Sequence, residues 1–114
     1  MFRFEQLNVY KESLSFVDLV YKLTDKWPKA ETFSLTDQLK RAAISVSLNI
    51  AEGSSRTSKD FQHFLSTARG SVYECVASLT IALKRNYIDK QDFEKGYEFC
   101  DKLARMLTAL KKSV

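Results

Sequence analysis

The chain contains few residues that interrupt helices or form tight turns, with three glycines and one proline among its 114 residues. That scarcity disfavours sheets joined by tight turns and also disordered tails. No apolar run approaches the roughly 20 residues that a membrane-spanning helix needs. The opening stretch MFRFEQLNVYKES carries polar residues throughout, so it does not fit a secretion signal. We therefore expect a cytoplasmic protein with no membrane partner.

Side chains for metal or nucleophilic chemistry are also scarce, with two cysteines and one histidine. These are too few for a zinc site. Cys75 and Cys100 fall at core-facing helical positions, where buried free thiols are expected and a disulfide is the alternative. His63 lies on a polar helix face away from both cysteines, so no thiol has a base beside it. We predict that the protein is not an enzyme and holds no metal and no cofactor.

Other catalytic arrangements are missing too. No helix carries the paired Glu-x-x-His motifs of a di-iron bundle, and Gly53-Ser54-Ser55 lacks the second glycine and the lysine of a phosphate loop. Glu52 and Glu74 flank apolar stripes closely enough to be considered for acid–base work. Pairing with Arg41, or capping of backbone groups, is the better interpretation, because buried charges persist when they are paired.

Apolar residues recur at helical spacing in four segments. The first helix is predicted from about Glu5 to Lys26 and stops at Trp27-Pro28, because the residue before a proline is pushed out of the helical region. Gly53 is expected to end the second helix in a left-handed conformation, and Asn86-Tyr87 to end the third. Side-chain caps are expected at the other helix starts: Ser34 with Asp37, Thr57 with Asp60, and Asp89.

The links between these helices are short, so neighbouring helices should pack antiparallel. The predicted fold class is all-α, an antiparallel up-down-up-down four-helix bundle. With 45% hydrophobic and 28% charged residues, a single domain over residues 1–114 can bury a core of its own.

The second helix is apolar on two opposite sides. It lies within the segment RAAISVSLNIAEGSSR, residues 41–56, and the residues before it. One apolar side holds the core residues Leu35, Leu39, Ala42, Ala43, Val46 and Ile50. The opposite side holds Ile44, Leu48 and Ala51. A helix that is apolar on two sides is buried on two sides, so we predict that Ile44, Leu48 and Ala51 form an interface with another copy of the chain.

A row of polar residues separates the two apolar sides of the second helix: Gln38, Arg41, Ser45, Asn49, Glu52 and Arg56. One interpretation is a solvated strip, in which Asn49 and Glu52 could be replaced freely. The favoured interpretation is a hydrogen-bonded network at the edge of the core, because asparagine has low helix preference and its amide competes for backbone partners.

The segment AISVSLNIAEG, residues 43–53, resembles the signature VSIPSNIAEG of a four-helix-bundle family whose founding members are encoded within intervening sequences of bacterial 23S ribosomal RNA genes. The resemblance extends to FEQLNVYK at residues 4–11, LTDQLKRAA at 35–43 and FQHFLSTARGSVYE at 61–74. One departure is that Ser47 and Leu48 occupy the positions where the family usually has proline and then a small polar residue. A kink expected in the second helix of the family is therefore expected to be absent here.

The resemblance implies a four-helix bundle that assembles into a homopentamer. A related branch, the accessory protein of diversity-generating retroelements, resembles a basic pentamer that engages a reverse transcriptase and nucleic acid. The resemblance implies no catalytic residues. It marks Arg41, Asn49, Glu52, Gly53 and Glu74 as signature positions.

Two functions follow from the charge and the resemblance. The net charge of +4 and the sequence pI near 9.1 favour an anionic partner, and the first hypothesis is a basic homo-oligomer that binds RNA. The second is a scaffold that recruits another protein, such as a reverse transcriptase. One bundle end, preferred for RNA, gathers Lys26, Lys29, Lys40, Lys84 and Arg85. The other end gathers Arg3, Arg56, Lys59, Lys111 and Lys112.

Overall fold

The computed structural model describes residues 1–114 and contains four α-helices and no strands. The helices are α1 (Asn8–Thr24), α2 (Leu35–Ser54), α3 (Ser58–Lys84) and α4 (Lys90–Ser113). Short 3-10 helices, Arg3–Gln6 and Lys29–Glu31, precede α1 and α2. The all-α four-helix fold is confirmed. The first helix is shorter than predicted, because the residues before Leu7 form their own 3-10 turn.

Contacts between neighbouring helices show that they run in opposite directions. Tyr21 of α1 faces Lys40 of α2, whereas Ser13 of α1 faces Ser47 of α2. The other neighbouring pairs, α2 with α3, α3 with α4 and α4 with α1, pack in the same antiparallel way. The diagonal pairs do not approach each other. The bundle is therefore a square of helices with four outer sides.

One core of 21 buried apolar residues fills the centre of the square. Its largest fully buried side chains are Phe16 and Phe61. Cys75 and Cys100 are buried free thiols, as predicted. Burial raises the pKa of the Cys100 thiol to about 12 and that of the Cys75 thiol further still. Neither thiol is a nucleophile at neutral pH, because the thiolate is the reactive form.

Two of the three predicted caps are confirmed. Thr57 accepts from the Asp60 amide at 3.3 Å, and Asp89 accepts from the Asp92 amide at 2.7 Å. The prediction for Ser34 is wrong, because its side chain makes no cap hydrogen bond.

Glu31 takes the place of Ser34 at the start of α2. Its carboxylate accepts from the Leu35 amide at 3.2 Å and from the Tyr87 hydroxyl at 2.8 Å. Hydrogen bonding by Tyr87 and then by Leu35 holds the pKa of Glu31 below its usual value. The 3-10 turn after Pro28 brings this carboxylate back over the helix start, where an anion is favoured by the helix dipole.

The prediction for Gly53 is also wrong. Gly53 lies inside α2, and no glycine has positive φ; the left-handed residue is Asn86, with φ 63° after α3. A Cβ at Gly53 would lie 2.6 Å from the Cβ of Phe64 and 2.9 Å from the Phe61 ring. Gly53 is therefore required by the close approach of α2 to α3. The helix remains α-helical through Ser47, the position that is proline in the resembled family.

None of the four helices combines the length and the apolar composition needed to cross a membrane.

Candidate functional site

The side of α2 that faces away from the core carries exposed apolar surface. Leu48 is 63% exposed, while Ile44 and Ala51 are half-buried. On α1, Tyr21 is exposed beside α2, with the Lys40 ammonium 4.5 Å from its ring centroid, and Leu14 lies two turns earlier on the same side. We call Leu14, Tyr21, Ile44, Leu48 and Ala51 the outer apolar face.

The polar row of α2 divides into a half-buried part and an exposed part. Asn49 is half-buried, and its amide donates to the Ser45 carbonyl at 2.8 Å and to the Ser45 hydroxyl at 3.0 Å. The Ser71 hydroxyl of α3 donates to the Ser45 hydroxyl at 2.9 Å. Asn49 therefore belongs to a polar chain that joins α2 to α3. Ser71 was not predicted as a partner of Ser45, because its only signal in the sequence is a small polar residue beside an apolar stripe.

The charged signature residues Arg41, Glu52 and Glu74 lie outside this polar chain. Arg41 and Glu52 are exposed, and each pairs with a residue four positions away, Arg41 with Asp37 at 4.0 Å and Glu52 with Arg56, just after α2, at 3.3 Å. Glu74 is exposed on α3 and forms no ion pair. The expected pairing of Glu52 or Glu74 with Arg41 is not formed. Along one helix, the 11 positions from Arg41 to Glu52 span about 16 Å, which is beyond side-chain reach.

The division of the polar row predicts unequal effects of isosteric substitutions. Asn49→Asp should lower the free energy of unfolding by about 1–3 kcal/mol at neutral pH, because a carboxylate would replace the donor that faces the Ser45 carbonyl. The loss should shrink in acid, once the carboxyl is protonated and can donate. Urea unfolding at neutral and acidic pH measures both effects. The control, Glu52→Gln, should stay within about 0.5 kcal/mol, as exposed substitutions do; equal losses would contradict the division.

The predicted basic cluster is assembled at one bundle end, but its charge is partly engaged. Lys26, Lys29 and Lys84 are exposed. Lys40 packs over Tyr21, and the Arg85 guanidinium donates to the Tyr87 hydroxyl at 3.4 Å. Hydrogen bonding to Tyr87 and the nearby carboxylate of Glu31 raise the pKa of Arg85. This end therefore mixes cations with a carboxylate.

A groove of about 760 Å³ lies between α3 and α4, towards the opposite bundle end. Its charged lining residues are Arg69, Lys111 and Lys112, and it contains no carboxylate. Tyr73 and Gly70 also line it. We call it the α3–α4 groove. The sequence predicted Lys111 and Lys112 at this end, whereas Arg69 and Tyr73 were not predicted as their neighbours.

No group of three or more metal-ligating side chains comes together. His63 is exposed on α3, and its ring packs edge-on beside Phe64 with centroids 6.2 Å apart. Two surfaces are the main candidates for function, the outer apolar face and the basic α3–α4 groove.

Comparison with known proteins identifies a family and a similar fold. Residues 5–109 match the family model described as 23S rRNA-intervening sequence protein. The chain also resembles the crystal structure of a protein of unknown function from the S23 ribosomal protein family of Bacteroides thetaiotaomicron, with a TM-score of 0.81 and 22% identity. That similarity covers 91% of this chain and 98% of the other, and it establishes the fold. No curated protein matches the sequence.

Proposed function

Because this chain belongs to the 23S rRNA-intervening sequence protein family, we propose that it is a non-enzymatic, cytoplasmic homo-oligomer, a pentamer in its assembled form, that binds RNA. The observation that carries the RNA part is the supply of free cations. Of the 18 lysines and arginines, only Arg41, Arg56, Lys102 and Arg105 form ion pairs. The other 14 form no ion pair with an acidic side chain, although some, such as Lys40 and Arg85, contact tyrosines.

The outer apolar face supports the oligomer. Large exposed apolar side chains that lie together mark protein contacts in soluble proteins, and Leu48 is 63% exposed within a face that also holds Tyr21 and Leu14. A closed ring requires each subunit to use two different surfaces. In a ring of five subunits, the two interface surfaces of each subunit face directions that differ by roughly 110°. Two neighbouring sides of a square bundle face directions that are nearly this far apart.

Assembly would also explain how a weakly charged chain holds RNA. One copy has a net charge of +4, and five copies would present about +20 to one RNA molecule. Linked weak contacts raise avidity without any new contact. Binding should therefore favour RNA that is long enough to reach several subunits.

The test is binding of folded ribosomal RNA fragments by the wild-type protein, measured by fluorescence anisotropy. We expect binding at about 50 mM salt that weakens steeply towards about 200 mM, because phosphate contacts release counterions. Binding should vary little with RNA sequence, since phosphate contacts carry no sequence information. Absence of binding at the lower salt concentration would contradict the proposal.

A second candidate function is a scaffold that recruits another protein. The observation that favours it is Phe33, which precedes α2 and is 94% exposed. A partner protein that copurifies in fixed stoichiometry after nuclease treatment, and is lost in Phe33→Ser, would support this function over RNA binding.

A further inference from the structure

We propose that the α3–α4 groove binds a single-stranded segment of RNA, with phosphates on Arg69, Lys111 and Lys112 and a base stacked on Tyr73. The inference rests on the proposed RNA-binding function and gives that function a site. It also moves the site away from the bundle end that holds Lys84 and Arg85.

Charge distinguishes this groove from the rest of the surface. None of its three cations forms an ion pair, and no carboxylate lies among its lining residues. On the same helix α4, Lys102 and Arg105 are both paired with acids. A concave surface lined by one sign of charge concentrates counter-ions. The three cations of the α3–α4 groove are therefore free of acidic side chains, although Gln62 of the lining donates to a C-terminal oxygen of Val114 at 2.7 Å.

Tyr73 supplies a stacking surface within reach of these cations. Its side chain is 57% exposed. The Arg69 guanidinium lies 4.9 Å from the Tyr73 ring centroid and donates to the Tyr73 hydroxyl at 3.0 Å, which orients the ring. Non-specific single-strand sites combine a basic groove with exposed aromatic rings on which bases stack. Both components are present here.

The aromatic surface continues beyond the basic part. Tyr73 also lines a second cavity of about 340 Å³, which is mostly apolar and extends towards Tyr97. Tyr97 is 50% exposed. Double-stranded RNA presents mainly its phosphates and 2′-hydroxyls, whereas unpaired bases can be splayed onto aromatic rings. Tyr73 of the groove and Tyr97 of the adjoining cavity, which Asp101 also lines, therefore favour a single strand over a duplex.

Gly70 lines the α3–α4 groove and places no side chain in it. It lies in the interior of α3, where glycine costs about 1 kcal/mol relative to alanine. No heavy atom lies within 4 Å of a Cβ built there, so packing within the chain does not require a glycine. The backbone at Gly70 is therefore bare on the side of the groove and open to close approach by a ligand.

The experiment measures binding of a fluorescent uridine oligomer of about 12 nucleotides, a length typical of single-strand sites. Lys111→Gln combined with Lys112→Gln should weaken binding about tenfold and reduce the salt slope by about 1–2. Lys84→Gln combined with Arg85→Gln removes the same charge at the other end and should change binding less than about twofold. Circular dichroism would check that the variants, all at exposed positions, remain folded.

Substitutions of Tyr73 test stacking separately from charge. Tyr73→Ala should weaken oligomer binding about tenfold, whereas Tyr73→Phe, which keeps the ring, should bind nearly as well as the wild type. Equal binding by Tyr73→Ala and the wild type would overturn the assignment of a base to this ring.

Three further outcomes would each overturn the site. If Lys84→Gln with Arg85→Gln weakens binding while the groove variant does not, the site is wrong and the proposed function remains. If the wild type binds neither the oligomer nor folded RNA at low salt, the proposed site and the proposed RNA-binding function are both wrong. If a polyglutamate peptide of equal charge competes as well as the oligomer, the groove recognises acidic protein rather than RNA.

Discussion

Replacing Ile44 and Leu48 with lysine should convert the proposed homo-oligomer into monomers. Both side chains lie on the outer apolar face, and Leu48 is 63% exposed in the single chain. Taking an unpaired ammonium group out of water costs several kcal/mol, so two such groups in each interface should weaken association by at least about a thousandfold. The fold should survive, because neither side chain belongs to the buried core.

Analytical ultracentrifugation of the wild type and the double variant measures this effect. Glu98→Lys provides a control, because Glu98 is exposed on α4, the helix diagonally opposite α2. The control should sediment like the wild type. A wild-type protein that sediments as a monomer would contradict the interface. If avidity holds RNA, the monomeric variant should also bind folded RNA about 10²-fold more weakly.

Gly53→Ala should lower the free energy of unfolding by about 2 kcal/mol, because overpacking a close helix contact costs about 1–3 kcal/mol. The added methyl group would lie 2.6 Å from the Cβ of Phe64. That atom is fixed to the α3 backbone and cannot rotate away, so α2 and α3 would have to separate. The general advantage of alanine in a helix offsets part of this loss.

Gly70→Ala is the matched control, since it makes the same change in a helix interior with open space around the new Cβ. It should raise the free energy of unfolding by about 0.5–1 kcal/mol. Urea unfolding of both variants gives the two values directly. Stabilisation of similar size in both would show that α2 and α3 can separate at little cost.

Local patterns in the sequence were sufficient to predict the fold. Apolar periodicity located all four helices, and the caps at Thr57 and Asp89 follow from residues within one turn. The cap at α2 could not be predicted in this way. Glu31 reaches the helix start only because a 3-10 turn folds back there, and Tyr87, 56 residues away, holds its carboxylate.

The surfaces depend on contacts between helices, which a single sequence does not display. Gly53 matches a helix terminator by its neighbours in sequence, but its neighbours in space are Phe61 and Phe64 of α3. Likewise, Arg69 and Lys111 meet only because α3 and α4 pack antiparallel. The outer apolar face was partly predictable, because the second apolar side of α2 shows in its periodicity.

Hydrogen-bonded serine pairs on both flanks of α2 fix the rotation of this helix about its own axis. A helix that is apolar on two sides could turn about its axis and bury Leu48 in place of the side that holds Ile50. The Ser13–Ser47 hydrogen bond towards α1 and the Ser71–Ser45 hydrogen bond towards α3 both form in one setting only. Buried polar groups that lose their partners destabilise the competing arrangement. These serines thus let α2 carry a second apolar side without losing a unique fold.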